Sequence, residues 1–185
     1  MHKSELIALI KFFSVKKAVN VIRLYLSFIV SRFLKKSFIS GLPFALSIEP
    51  TTSCNLGCPE CPSGLKQFTR KTGNLSIALN KKIIDELKGR LTYINYYFQG
   101  EPYINKNFFD FVQYANSKKI FCSTSTNGHF LNDENCVKTI ESGLKRLIIS
   151  IDGNSQETYE IYRKKGKYEK VIEGTKNILK WKKEL

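Results

Sequence analysis

Glycine and proline are scarce, at 11 and 5 of 185 residues, which excludes a fibrous or low-complexity chain. Long apolar stretches are missing too. The longest uncharged apolar run, Leu24 to Ser31, is far too short to cross a bilayer. Glu5 and Lys11 interrupt the one candidate leader, and no small-residue cleavage site follows it, so a secretory signal is not expected. Acidic residues are outnumbered 16 to 30 by Lys and Arg, giving a formal charge of +14. Only six of those 30 are Arg, whereas nucleic-acid recognition favours the planar guanidinium, so RNA or DNA is an unfavoured partner. Five cysteines, an odd number, do not form a disulfide framework, and a reducing, cytoplasmic setting follows.

What is present suffices for one folded domain. Hydrophobic residues make up 42% of the chain, with 13 Phe and 9 Tyr, enough apolar surface to close a core. The charge sits at the two ends. Residues 1–40 carry eight basic side chains against one acidic, residues 164–185 eight against three, and the stretch between is nearly neutral.

Residues 1–40 read as a basic, amphipathic helical extension. Ile22, Tyr25, Leu26, Ile29, Val30 and Phe33 recur at helical steps, with Arg23, Ser27, Ser31 and Lys35 opposite, until Ser40, Gly41 and Pro43 end the helix. The apolar stripe is expected to pack on the chain's own domain, as most such stripes do. The alternative is peripheral contact of residues 1–36 with an anionic membrane surface.

From residue 41 to 185 short apolar runs alternate with helices. The runs Phe44 to Ile48, Tyr93 to Phe98, Ile120 to Ser125 and Leu147 to Ile151 predict four strands. Ser76, Asn107 with Asp110, Asn132, and Asn154 with Glu157 predict helix starts, Gly89 and Gly143 predict ends, and a last helix follows with Tyr168, Val171, Ile172, Ile178 and Leu179 on its apolar face. Strands separated by helices imply an α/β fold with a parallel sheet, whose chemistry collects at the carboxyl ends of the strands. Those ends carry Glu49 to Cys54, Gln99-Gly100-Glu101-Pro102, Thr126-Asn127-Gly128, and Ser150, Asp152 and Gly153.

Directly after the first strand, Cys54, Cys58 and Cys61 lie in Cys-Asn-Leu-Gly-Cys-Pro-Glu-Cys. Three soft thiolates on one loop can face a common centre. A zinc knuckle wants a fourth ligand, and neither His2 nor His129 is near in sequence. An iron–sulfur cluster with one iron left open is the other reading, although clusters held wholly by protein take four thiolates. Cys122 and Cys136, on a strand and a helix, read as small buried hydrophobes.

The loop resembles the three-cysteine signature of the radical S-adenosylmethionine (radical SAM) enzymes. Gln99-Gly100-Glu101-Pro102 is similar to that family's Gly-Gly-Glu-Pro element, with Gln99 in the place of the first glycine. Ser123 to Gly128, Ile149 to Gly153 and Tyr162-Arg163 are similar to its third-strand end, its fourth strand and its carboxylate-binding Arg. The resemblance covers roughly residues 42–180 and implies a partial (β/α) barrel of which four of six strand–helix units are present. Within the family it leans toward the SPASM-type subgroup, C-terminally truncated. It further implies a 4Fe-4S cluster on Cys54, Cys58 and Cys61, and S-adenosylmethionine held by Gln99, Gly100, Glu101, Asn127, Ser150, Asp152 and Arg163. The activity implied is reductive cleavage of that cofactor to a 5'-deoxyadenosyl radical, driven by a one-electron donor of the flavodoxin or ferredoxin type. The implied substrate is a peptide or protein. An RNA or a small molecule is the alternative substrate, and a catalytically incompetent iron–sulfur-binding fragment the alternative protein.

Overall fold

In a computed structural model, residues 3–185 are described, with side chains from residue 7 onward. Two helices, α1 (Lys3–Phe12) and α2 (Val15–Leu34), precede strand β1 (Ala45–Ser47). There follow α3 (Pro62–Leu65), α4 (Ile77–Leu87), β2 (Tyr93–Asn95), a 3-10 turn Pro102–Ile104, α5 (Phe108–Ser117), β3 (Phe121–Thr126), α6 (Asp133–Glu141), β4 (Arg146–Ile149), α7 (Gln156–Tyr162) and α8 (Tyr168–Glu184). The strands form one sheet in the order β1-β2-β3-β4, every pairing parallel. All four expected strands are there; β1, β2 and β4 are shorter than their apolar runs, and β3 has the expected length, shifted by one residue.

Register sorts the two faces of the sheet. Leu46, Ile94 and Cys122 stand side by side on one face and pack into the apolar core with Leu147 and Ile149. Helices supply the other half of that core through residues at three- and four-residue steps: Phe108, Phe111, Val112 and Ala115 from α5, and Val171, Gly174, Ile178 and the half-buried Trp181 from α8. Cys122 and Cys136 are fully buried, as small apolar groups should be. The opposite face carries Tyr93 stacked on Phe121, then Asn95 beside Ser123, then Ser125 beside Ile148.

Several local expectations are corrected. Asn107 precedes α5 but caps nothing; its own N–H donates to Asn105 Oδ1 at 3.0 Å. The start of α7 is capped by Ser155 and Thr158, which exchange bonds reciprocally, rather than by Asn154 and Glu157. On α8 the buried stripe runs through Gly174, and Leu179 is exposed.

The largest correction concerns the N-terminal helices. Ser14 breaks the single expected helix in two and accepts from Lys17 N at 3.4 Å. The second helix ends at Leu34, where Lys35 turns left-handed, well before Ser40. Its stripe does not pack on the domain: Ile22, Tyr25, Leu26, Ile29 and Phe33 are all exposed. The polar face points inward instead, because Asn20, Ser27 and Ser31 bond the backbone of the returning segment 38–42.

Candidate active site

The loop after β1 is fixed by its backbone before any side chain acts. Glu101 N donates to Ser53 O at 2.8 Å, Gly57 N to Lys164 O at 2.9 Å, and Thr51 bridges to Asn74. Two glycines permit this closeness. A Cβ on Gly100, whose φ is +76°, would sit 2.1 Å from Thr51 O; one on Gly64 would sit 2.6 Å from Cys58 N.

Cys54, Cys58 and Cys61 line one pocket at the carboxyl end of the sheet, and each sulfur meets a group from a different element. Asn127 Nδ2, after β3, donates to Cys54 Sγ at 3.9 Å. Arg163 Nη1, after α7, lies 4.0 Å from Cys58 Sγ. The Cys61 thiol donates to Gln99 Oε1, after β2, at 3.4 Å. All three thiols are free. Burial pushes the Cys54 thiol up, helped by Glu101 and the other two cysteines and opposed by the N–H of Leu56. Cys58 is raised by burial and held back by Arg163.

Glu101, 2% exposed, sits at the floor of the pocket. Burial lifts its carboxyl to about 7, against three donors: Asn127 N at 2.8 Å, Thr126 Oγ1 at 2.8 Å and Tyr103 N at 3.3 Å. Gln99, Gly100, Ser125, Ser150, Tyr162 and Arg163 complete the wall.

One anticipated residue is elsewhere. Asp152 does not line the pocket; it pairs with Arg163 Nε and so steers that guanidinium. Other residues were not anticipated. Ser63 accepts from Gly100 N at 2.8 Å, and Asn55 accepts from Asn127 Nδ2 at 2.7 Å, so the cysteine loop and the strand ends are bonded to one another. Ser63 follows the last cysteine by two residues, but neither bond has a signature in sequence. His129 stays outside the pocket: its Nε2 accepts from Lys167 N at 2.9 Å, tying the end of β3 to the start of α8.

The donor set distinguishes kinds of metal. Among the described residues no three His, Cys, Asp or Glu side chains converge as ligands of a single ion. A structural zinc needs its donors within about 2.3 Å of one point. Three thiols spread round one pocket suit a cluster instead, which presents a separate iron to each sulfur. The raised proton affinity of Cys54 and Cys58 is also what a multivalent metal centre offsets.

Three comparisons bear on this site. The chain is 31% identical over 147 residues to the mycofactocin maturase MftC of Mycolicibacterium smegmatis, covering 78% of this chain and 37% of that protein. It is 32% identical over 116 residues to an AdoMet-dependent heme synthase of Oleidesulfovibrio alaskensis, covering 62% and 29%. Among solved structures it resembles anSMEcpe with bound AdoMet and a Cp18Cys peptide, with a TM-score of 0.59 at 22% identity over 76% of this chain and 41% of that one. The chain thus spans well under half the length of these relatives. The model of the radical SAM superfamily, a family that binds a 4Fe-4S cluster and AdoMet, matches residues 48–181, and the chain belongs to that superfamily.

Proposed function

We propose that Cys54, Cys58 and Cys61 hold a 4Fe-4S cluster and that the strand ends hold AdoMet beside it, for reductive cleavage of the cofactor and modification of a peptide or protein. The observation that carries this reading is the convergence of the three thiols, Glu101, Asn127 and Arg163 on one pocket. When bound, the pair supplies one-electron cleavage of a sulfonium and hydrogen-atom abstraction. The chain's own residues bind, orient and shield. Glu101 accepts from the cofactor's ammonium, and a cation there offsets the burial that otherwise favours its protonated form. Arg163 offers its guanidinium to the carboxylate, oriented by Asp152, which acts as a positioning residue. Ser125 and Ser150, 3.4 Å apart, provide hydroxyls on the wall that meets the ribose. Gln99 Oε1 accepts from the Cys61 thiol and from the Ser63 hydroxyl, which ties the last cysteine to the end of β2.

Support for a peptide or protein substrate comes from the maturase relative and from the peptide held by a chain of this fold. The heme synthase relative favours a second reading, a small-molecule substrate. Thiolate ligation and a flavodoxin- or ferredoxin-type donor both fit a reducing, cytoplasmic compartment.

The test is anaerobic reconstitution with iron and sulfide, addition of AdoMet and dithionite, and assay of 5'-deoxyadenosine. Iron bound through the three cysteines with nucleoside release is expected. Iron uptake without release indicates a cluster-binding fragment, and uptake of zinc but no iron overturns the assignment.

A further inference from the structure

The N-terminal helices present an amphipathic surface turned the opposite way from a packing helix. Inward, Asn20 Nδ2 donates to Leu42 O at 2.7 Å and Asn20 Oδ1 accepts from Leu42 N at 3.0 Å. Ser27 accepts from Ser40 N at 2.9 Å, and Ser31 both donates to and accepts from the Phe38 backbone at 2.9 Å. These polar residues, spaced by seven and then four, hold segment 38–42 along the helix. Lys17, 3% exposed, donates to Phe12 O at the end of α1 and anchors the helices to the domain through Lys119 O. Outward, Ile22, Leu26 and Ile29 are 56%, 52% and 44% exposed, and Phe33 85%. Ile10 and Phe13 at the end of α1 are exposed as well. Water receives the face that should be buried.

Charge selects what covers it. No acidic residue occurs between Glu5 and Glu49. Lys11, Lys16, Arg23, Arg32, Lys35 and Lys36 are exposed, and among the described residues none forms an ion pair. An apolar strip flanked by unpaired cations fits a surface with an apolar interior and anionic headgroups. No helix among the described residues is long and apolar enough to cross that interior.

We infer that α1 and α2 lie flat on an anionic lipid surface. Orientation then favours access to the site. The helices meet the domain at the amino ends of the strands: Lys17 at Lys119 before β3, the Phe12 ring under Lys145 before β4, and an apolar groove shared with Phe44 and Thr92 before β1 and β2. The cysteine pocket opens at the carboxyl ends, so it faces away from the bilayer.

Co-sedimentation of the full chain with vesicles of phosphatidylcholine alone, or with about a third phosphatidylglycerol, tests this. Pelleting is expected with the anionic vesicles only, reduced about tenfold or more at 0.5 M salt, where exposed charges are screened beyond roughly 4 Å. The triple variant Ile22→Ser, Leu26→Ser, Ile29→Ser should lose about tenfold in vesicle affinity with its circular dichroism unchanged, since those side chains touch water already. Retention in the supernatant, or equal pelleting of the variant, overturns the inference. So does a stable dimer in sedimentation velocity that the variant dissolves while vesicles capture neither protein, because a second copy would then be the occupant.

Discussion

Thr126 Oγ1 donates to Glu101 Oε1 at 2.8 Å while the next residue's N–H donates to Oε2 at 2.8 Å, so the end of β3 clamps the carboxyl of the β2 loop. The clamp does not fully compensate burial, and Glu101 stays protonated to about pH 7. Its folded-state pKa lies above the unfolded value, so the folded chain binds more protons between about pH 4.5 and 7. Without cofactor, stability contributed by this group is present below that window and lost as pH rises through it, by up to about 3 kcal/mol. Urea titrations at stepped pH should show the decline, and Glu101→Gln should remove it, leaving the opposite slope that His129 contributes. A parallel decline in both proteins would refute the assignment.

Gly100 joins the clamp to the cysteine loop. Alanine there meets Thr51 O and must hold a φ of +76°, so Gly100→Ala should destabilise by about 2 to 4 kcal/mol. Because Glu101 N bonds Ser53 O beside Cys54, relief of the clash displaces the first cysteine. Iron incorporated on reconstitution should fall with the melting temperature. Full iron loading at an unchanged midpoint would show that the loop tolerates the methyl.

These contacts mark how far the sequence could be read. The convergence of Cys54, Cys58, Cys61, Gly100-Glu101 and Asn127 on one pocket was legible because the constraint on each is local: cysteine spacing, a turn, the end of a strand. Four parallel strands were legible for the same reason, since apolar runs and capping residues alternate along the chain. Asp152 was not, because its pairing with Arg163 depends on where α7 ends. The break at Ser14 was hidden by apolar periodicity that continues across it. The inverted face of α2 was hidden because segment 38–42, which satisfies Asn20, Ser27 and Ser31, has no periodicity of its own.

Asp152 yields a prediction that separates steering from folding. Its carboxylate is 45% exposed, so Asp152→Asn should change stability by less than about 1 kcal/mol. Freed from that partner, Arg163 Nη1 no longer keeps its bearing on Cys58 and the pocket. Cluster absorbance in the reconstituted variant should match the parent, while affinity for AdoMet drops about tenfold, as the loss of one oriented charged hydrogen bond would give. Binding at parental strength would leave Asp152 a surface residue.

His129 supplies the opposite pH dependence from Glu101. It is 8% exposed, its Nε2 accepts from Lys167 N, and Nδ1 lies 3.1 Å from Asn127 O, so the neutral ring carries its proton on Nδ1. Burial lowers its pKa below the ordinary value of 6.5. The unfolded chain therefore binds the extra proton first, and stability from this group is present above about pH 6.5 and lost as pH falls through the window beneath. His129→Gln keeps an acceptor without a titration, whereas His129→Ala strands the Lys167 N–H at the start of α8 at a cost of about 1 to 3 kcal/mol. Between pH 7 and 5 the parent should lose stability relative to His129→Gln, even though Glu101 gains over the same interval. In the Glu101→Gln background the histidine's decline should stand alone, and a flat profile there would show that the ring takes up its proton in the folded chain as readily as in the unfolded one.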